Sequence, residues 1–241
     1  MNIGEEFFEK TKYPFVSESD QDKELPCPPL ETPQTGEAID LPEPAGLTPG
    51  PVSVAEAINN RRSRRKFSRQ PLSLQELSWL LWATQGVQEQ GKIRTVRTVP
   101  SAGGRHPFDT CLAITNVTGL KPGLYRYLAL SHQLILIRED KDINDLIASI
   151  CHEQKWIAGA AVTFIWIAVP YRSAWRYSER AWRYLLLDAG HVCQNLYLAC
   201  EAIDAGCCAI NAFDDDALNQ FLDLDGKSRF AIYLAPAGHR Q

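Results

Sequence analysis

No pair of cysteines in this chain stands at CxxC spacing, and no Cys/His pattern repeats at metal-ligand spacing. The 7 cysteines, at positions 27, 111, 151, 193, 200, 207 and 208, are odd in number and mostly sit in apolar segments. That pattern argues against a zinc site or a disulfide framework. It fits buried free thiols in a reducing compartment, the cytoplasm, and no metal is expected. Long hydrophobic runs are missing too. The longest, residues 157 to 169 inclusive, is 13 residues and includes Thr163. It is too short to span a bilayer and reads as a buried strand. The start, Met1-Asn-Ile-Gly-Glu-Glu-Phe-Phe8, has neither the basic residues nor the apolar run of a signal peptide. Net positive charge is also absent. The total of −4 at pH 7 gives no general attraction to nucleic acid or an anionic membrane.

What is present suffices for one core, since 45% of the 241 residues are hydrophobic. The charge is divided unevenly. Residues 1–50 hold 11 Asp/Glu against 3 Lys/Arg (net −8), and the remaining 191 hold 18 against 22 (net +4), which sum to −4. Residues 1–51 also hold 9 of the 15 prolines. These features predict an extended, acidic, Pro-rich N-terminal arm ahead of a mildly basic domain over 52–241.

Ser53-Val-Ala-Glu56 and Ser73-Leu-Gln-Glu76 are capping boxes that predict helices running to about 60 and 85. Strands are predicted at 110–115, 123–127, 133–137 and 161–169, the middle two as a hairpin, with a last strand at 230–235. Shorter helices are predicted near 142–151 and 214–222. The strongest periodicity covers 180–204, where Leu185, Ala189, Val192, Leu196 and Cys200 recur at helical spacing. Leu187, Tyr197 and Leu198 load the opposite face, so this helix must be central or covered by a partner subunit. The class is α+β.

Three segments offer chemistry. Arg61-Arg-Ser-Arg-Arg65 presents four guanidinium groups and a hydroxyl, a set suited to a phosphate monoester, although on composition alone a solvated basic patch or a nucleic-acid contact is the more ordinary reading. Pro100-Ser-Ala-Gly-Gly-Arg-His-Pro107 is a small-residue loop whose backbone could approach a planar ligand, or a plain turn. Gly206-Cys-Cys-Ala-Ile-Asn-Ala-Phe213 could lay backbone donors beside a ring, or simply join a helix to a strand.

Taken in order, these segments resemble the FMN-dependent nitroreductase family. The resemblance is closer still to its thiazole/oxazole (azoline) dehydrogenase-type members, through Leu80-Leu-Trp-Ala-Thr-Gln-Gly86, Arg97-Thr-Val-Pro-Ser-Ala-Gly103, Arg183-Tyr-Leu-Leu-Leu-Asp-Ala-Gly-His191, Gln194-Asn-Leu-Tyr-Leu198 and Ala212-Phe-Asp-Asp-Asp-Ala-Leu218. It covers about residues 52–238. The fold it implies is a central, mostly antiparallel sheet flanked by helices, with a long buried helix at a homodimer interface. It implies that Arg61, Arg62, Ser63 and Arg65 hold the FMN phosphate, with Arg240 a further candidate. It implies that Pro100, Ser101, Ala102, Gly103 and Gly104 reach the flavin from the partner subunit, and that Asn211 and Ala212 lie along its ring. Gly104 stands where the family usually has Asn. Arg176-Tyr177 stands at the Lys-Tyr pair of azoline-oxidising members, as the substrate-side candidates. A guanidinium stays protonated, so Arg176 is a poor general base.

The chemistry so implied is ping-pong hydride transfer from NAD(P)H through flavin N5 to a small electron-poor acceptor. Alternatives are an oxygen-coupled dehydrogenase of azoline-containing peptides or a related metabolite, a non-redox flavin-binding subunit, and a basic-patch binding module. The five histidines are scattered and read as surface or hydrogen-bonded structural residues.

Overall fold

A computed structural model describes residues 1–44 and 52–241. Three helices begin with reciprocal side-chain caps. Asn2 and Glu5 cap α1 (Ile3–Lys10), Ser53 and Glu56 cap α2 (Val54–Asn60), and Ser73 and Glu76 cap α3 (Leu74–Gln85). In each, the cap side chain accepts the N–H three residues on, and the glutamate accepts the cap N–H in return.

The core is a seven-stranded sheet. Its strands are β1 (Ala38–Asp40), β4 (Phe108–Ile114), β5 (Gly123–Leu128), β6 (Gln133–Glu139), β7 (Val162–Ala168), β8 (Ala205–Cys207) and β9 (Phe230–His239). They lie in the order β1-β6-β5-β4-β7-β9-β8, and each neighbouring pair is antiparallel. A separate two-stranded ribbon joins β2 (Val87–Gln90) to β3 (Thr95–Arg97). β4 and β7 are buried along their whole lengths, which explains why they are mostly apolar, Asp109, Thr110 and Thr163 being the polar exceptions. Their side chains alternate between two cores. Leu112, Phe164 and Trp166 pack with α3 and with α6 (Ala181–Glu201). Cys111, Ala113, Ile165 and Ile167 pack with α4 (Ile143–Ile150) and α7 (Asp215–Phe221).

The long helix α6 buries Leu185, Ala189, Val192, Leu196 and Cys200 against the sheet side. Its other side stays open in the single chain, with Trp182, Leu186 and Leu187 44%, 60% and 59% exposed. The last strand runs four residues beyond the predicted end at 235. Pro236 hid this, because proline lacks the N–H a strand needs, yet its carbonyl accepts from Cys208.

The arm carries more structure than an extended segment, because α1 and β1 lie within it. β1 adds to the edge of β6. The stretch between them crosses α5 (Pro170–Tyr177), where Gln21 N–H donates to the Trp175 carbonyl and Trp175 Nε1 donates to the Leu25 carbonyl. Arg172 of α5 donates to the Pro29 carbonyl and to Thr32 Oγ1. The same Arg172 and Arg126 pair with the buried Asp109 at 2.8 and 2.7 Å. Residues 45–51, the end of the predicted arm, lie outside the described residues.

Candidate active site

Residues 61–68 run beside β8 and the end of β9. The Arg64 N–H donates to the Cys207 carbonyl at 2.9 Å, the Ser68 N–H donates to the His239 carbonyl, and Phe67 bridges Arg240. This brings the first motif and Arg240 to one place, although they are far apart in sequence. Arg62, Ser63, Arg64, Arg65, Lys66 and Arg240 surround an open basic pocket of about 270 Å³. Gly206 is needed here because a Cβ would fall 2.7 Å from the Arg64 side chain. Arg61 lies over the Tyr197 ring and Arg65 over Trp156. Arg240 is partly committed, pairing with Glu201 at 3.2 Å and Asp204 at 2.8 Å. Asn211 and Ala212 follow on the same connection and are exposed; Asn211 donates to the Ile232 carbonyl, and the Ala212 carbonyl accepts from Gln154.

The loop 100–107 gathers elsewhere. The Ser101 hydroxyl donates to Asp188 at 2.5 Å, and the Ala102 N–H also points to that carboxylate. Both donors are therefore turned inward, and the backbone N–H groups of Ser101 and Gly103 are the ones left in Ser101–Gly103. Gly103 and Gly104 adopt φ of 61° and 64°. A Cβ on Gly103 would meet the Tyr177 hydroxyl at 2.5 Å and Arg176 Cδ at 3.1 Å, so the two substrate-side candidates press on this loop. A Cβ on Gly104 would lie 2.8 Å from the Thr95 carbonyl oxygen.

The two gatherings are not one pocket within this chain. Asp188 holds the loop and Tyr197 holds Ser63, its hydroxyl 3.0 Å from Ser63 Oγ. Nine residues of α6 separate these anchors. At 3.6 residues per turn that is about 180° of rotation and roughly 13.5 Å of rise, so they project from opposite sides of the helix.

Burial drives the electrostatics. It pushes Asp188 above the ordinary carboxylate range, although Ser101 and Ala102 oppose the shift. His106, beneath the loop, is lowered to about 3, first by burial and then by Arg97. Burial would raise Asp109, but Arg126 and Arg172 overcome it and hold the group below its usual value. His132 sits between Ser78 and Tyr127, and His239 lies 3.3 Å from Glu76. His152 and His191 are exposed. All 7 cysteines are free and 6 are buried.

The sequence did not point to Asp188 or Tyr197 as parts of these gatherings, and within the 61–65 run it did not mark Arg64 among the phosphate candidates. The signal for Asp188 was a lone carboxylate inside an apolar helical run; Tyr197 had no distinguishing signal beyond its phenol.

Residues 58–239 match the Nitroreductase family. The chain belongs to that family. A Methanocaldococcus jannaschii protein named as a candidate nitroreductase is 31% identical over 190 residues, which is 78% of this chain and 92% of that protein. The trifolitoxin operon protein TfxC of Rhizobium leguminosarum bv. trifolii is 28% identical over 201 residues, 77% of this chain and 55% of TfxC. Among solved structures, a candidate nitroreductase of Ralstonia eutropha superposes with a TM-score of 0.70 at 25% identity, over 88% of this chain and 93% of its own. The Escherichia coli microcin synthetase McbBCD complex contains the same fold, at 19% identity and a TM-score of 0.63 over 77% of this chain and 73% of its own. These likenesses are compatible with the azoline dehydrogenase-type branch. Family membership makes this chain an oxidoreductase. Among the described residues no helix is long and apolar enough to cross a membrane.

Proposed function

We propose that the chain is a homodimeric, FMN-dependent oxidoreductase that takes reducing equivalents from NAD(P)H and delivers them to a small electron-poor acceptor. The observation that carries this reading is the division of the site across α6. The arginine-rich set and the loop 100–107 occupy opposite sides of one helix, so a two-fold pairing of chains would let one chain's set meet the other's loop. The open face at Leu186 and Leu187 supports such a pairing.

The residues fit FMN. The basic pocket is open, and the buried Nε atoms of Arg64 and Arg240 have no partner among the described residues. Arg61, Arg62, Ser63, Arg65 and Arg240 would hold the phosphate. The Gly103 N–H from the partner subunit and the backbone of Asn211 and Ala212 would face the ring and favour negative charge on it. Bound FMN would supply the hydride-accepting and hydride-donating chemistry, and the protein its binding and orientation. The free thiols suit a cytoplasmic setting.

The position of Arg176 and Tyr177 against Gly103 places the substrate-side pair at the loop. It keeps one second reading, an oxygen-coupled dehydrogenase of azoline-containing peptides, although Arg176 is a poor general base for it. Such an enzyme would turn over without NAD(P)H.

Co-expression tests the shared site. Arg65→Glu disables the phosphate half and Gly103→Val the loop half, so neither homodimer should retain FMN. A mixed dimer has one intact site and should hold one FMN per dimer. Mixed dimers that bind none would contradict a site built from two subunits.

A further inference from the structure

Tyr197 joins the two ligand-facing stretches on its side of α6. Its hydroxyl lies 3.0 Å from Ser63 Oγ in the basic pocket and accepts the Ala209 N–H at 2.8 Å. A phenol has one proton to give. With Ala209 donating to its oxygen, that proton has Ser63 Oγ as its partner among the described residues. Burial raises the Tyr197 pKa, so the proton is present at neutral pH. Ser63 is exposed toward Arg62, Arg64, Arg65 and Arg240, and its own proton then points away from Tyr197.

We propose that Tyr197 is a positioning residue: by donating to Ser63 Oγ it commits the Ser63 hydroxyl as a donor to a phosphate oxygen in the basic pocket. The inference rests on the reading of that pocket as the FMN phosphate site. The Tyr197 oxygen also takes up the Ala209 N–H. Donors toward the flavin ring must therefore come from later in the connection, at Asn211 and Ala212. Arg61 stacked on the ring, 5.2 Å from its centroid, holds the phenol in line.

Tyr197→Phe removes the hydroxyl and keeps the ring under Arg61, so the fold is retained. Fluorescence titration with FMN and with riboflavin, which lacks the phosphate, reads the role directly. Tyr197→Phe is expected to weaken FMN about 5- to 10-fold, the scale of one lost hydrogen bond, and riboflavin less than about twofold. Ser63→Ala should weaken FMN similarly, and adding Tyr197→Phe to Ser63→Ala should cost nothing more. Equal losses for both flavins, additive losses in the double variant, or unchanged FMN binding would each overturn the inference. A wild-type chain that fails to bind FMN would overturn the reading of the pocket and the inference with it.

Discussion

Asp188 needs its partners, because a carboxylate buried in an apolar helix is otherwise unsatisfied. Its work is to fasten Ser101 and Ala102. Asp188→Ala should leave both donors unpaired and destabilise the fold by about 1–3 kcal/mol, read from urea unfolding, with weaker flavin retention as the loop loosens. An unchanged midpoint would show that the loop stands without this anchor. His106 makes a different prediction. Its folded pKa near 3 lies below the unfolded value, so the unfolded chain binds the extra proton. Its contribution is intact above about pH 6.5 and falls as pH drops toward 3, at up to about 1.4 kcal/mol per unit. Asn tolerates the positive φ of 43° at this position. Urea midpoints of His106→Asn should therefore fall less steeply between pH 6.5 and 4 than those of the wild type. Parallel slopes would remove His106 as the cause. Residues such as Arg61 to Arg65 were legible because their neighbours in sequence are their neighbours in space. Asp188 and Tyr197 were not, because Ser101 lies 87 residues and Ser63 134 residues away.

Among elements, the capped helices and the central strands could be read directly, since Ser53, Ser73 and the mostly apolar runs of β4 and β7 are local signals. α5 went unread even though Pro170 stands at its first turn, a position proline favours. The arm was read as extended because proline and acid dominate its composition. What orders it is tertiary: Arg172 reaching Pro29 and Thr32, and Arg180 and Arg183 reaching the carbonyls of Thr11 and Phe8. Deleting residues 1–33 should remove Arg172's hydrogen bonds to Pro29 and Thr32 and destabilise the protein by about 1.5–3 kcal/mol, whereas deleting residues 1–10 should cost far less. Equal melting temperatures for the two truncations would contradict a strap anchored at Pro29 and Thr32.

At the scale of the whole molecule, the α+β class followed from the periodicities, and the antiparallel sheet with its flanking helices from the resemblance. The separation of the two gatherings was carried by the resemblance alone, which sets residues 100–104 against the partner's flavin; no local pattern shows it, because it depends on the angle between Asp188 and Tyr197 around α6. The open apolar side of that helix, with Leu186 and Leu187, is the surface we assign to the partner. Leu187→Glu should shift gel filtration from dimer to monomer and release flavin together with it. A monomeric wild type would contradict the dimer and the shared site at once. The most direct test of the central claim is an absorbance spectrum of the purified protein, followed anaerobically as NADH and then NADPH is added. The account predicts oxidised-flavin bands that bleach with one of the two nicotinamides. A protein that carries no flavin, even after reconstitution with FMN, would contradict it.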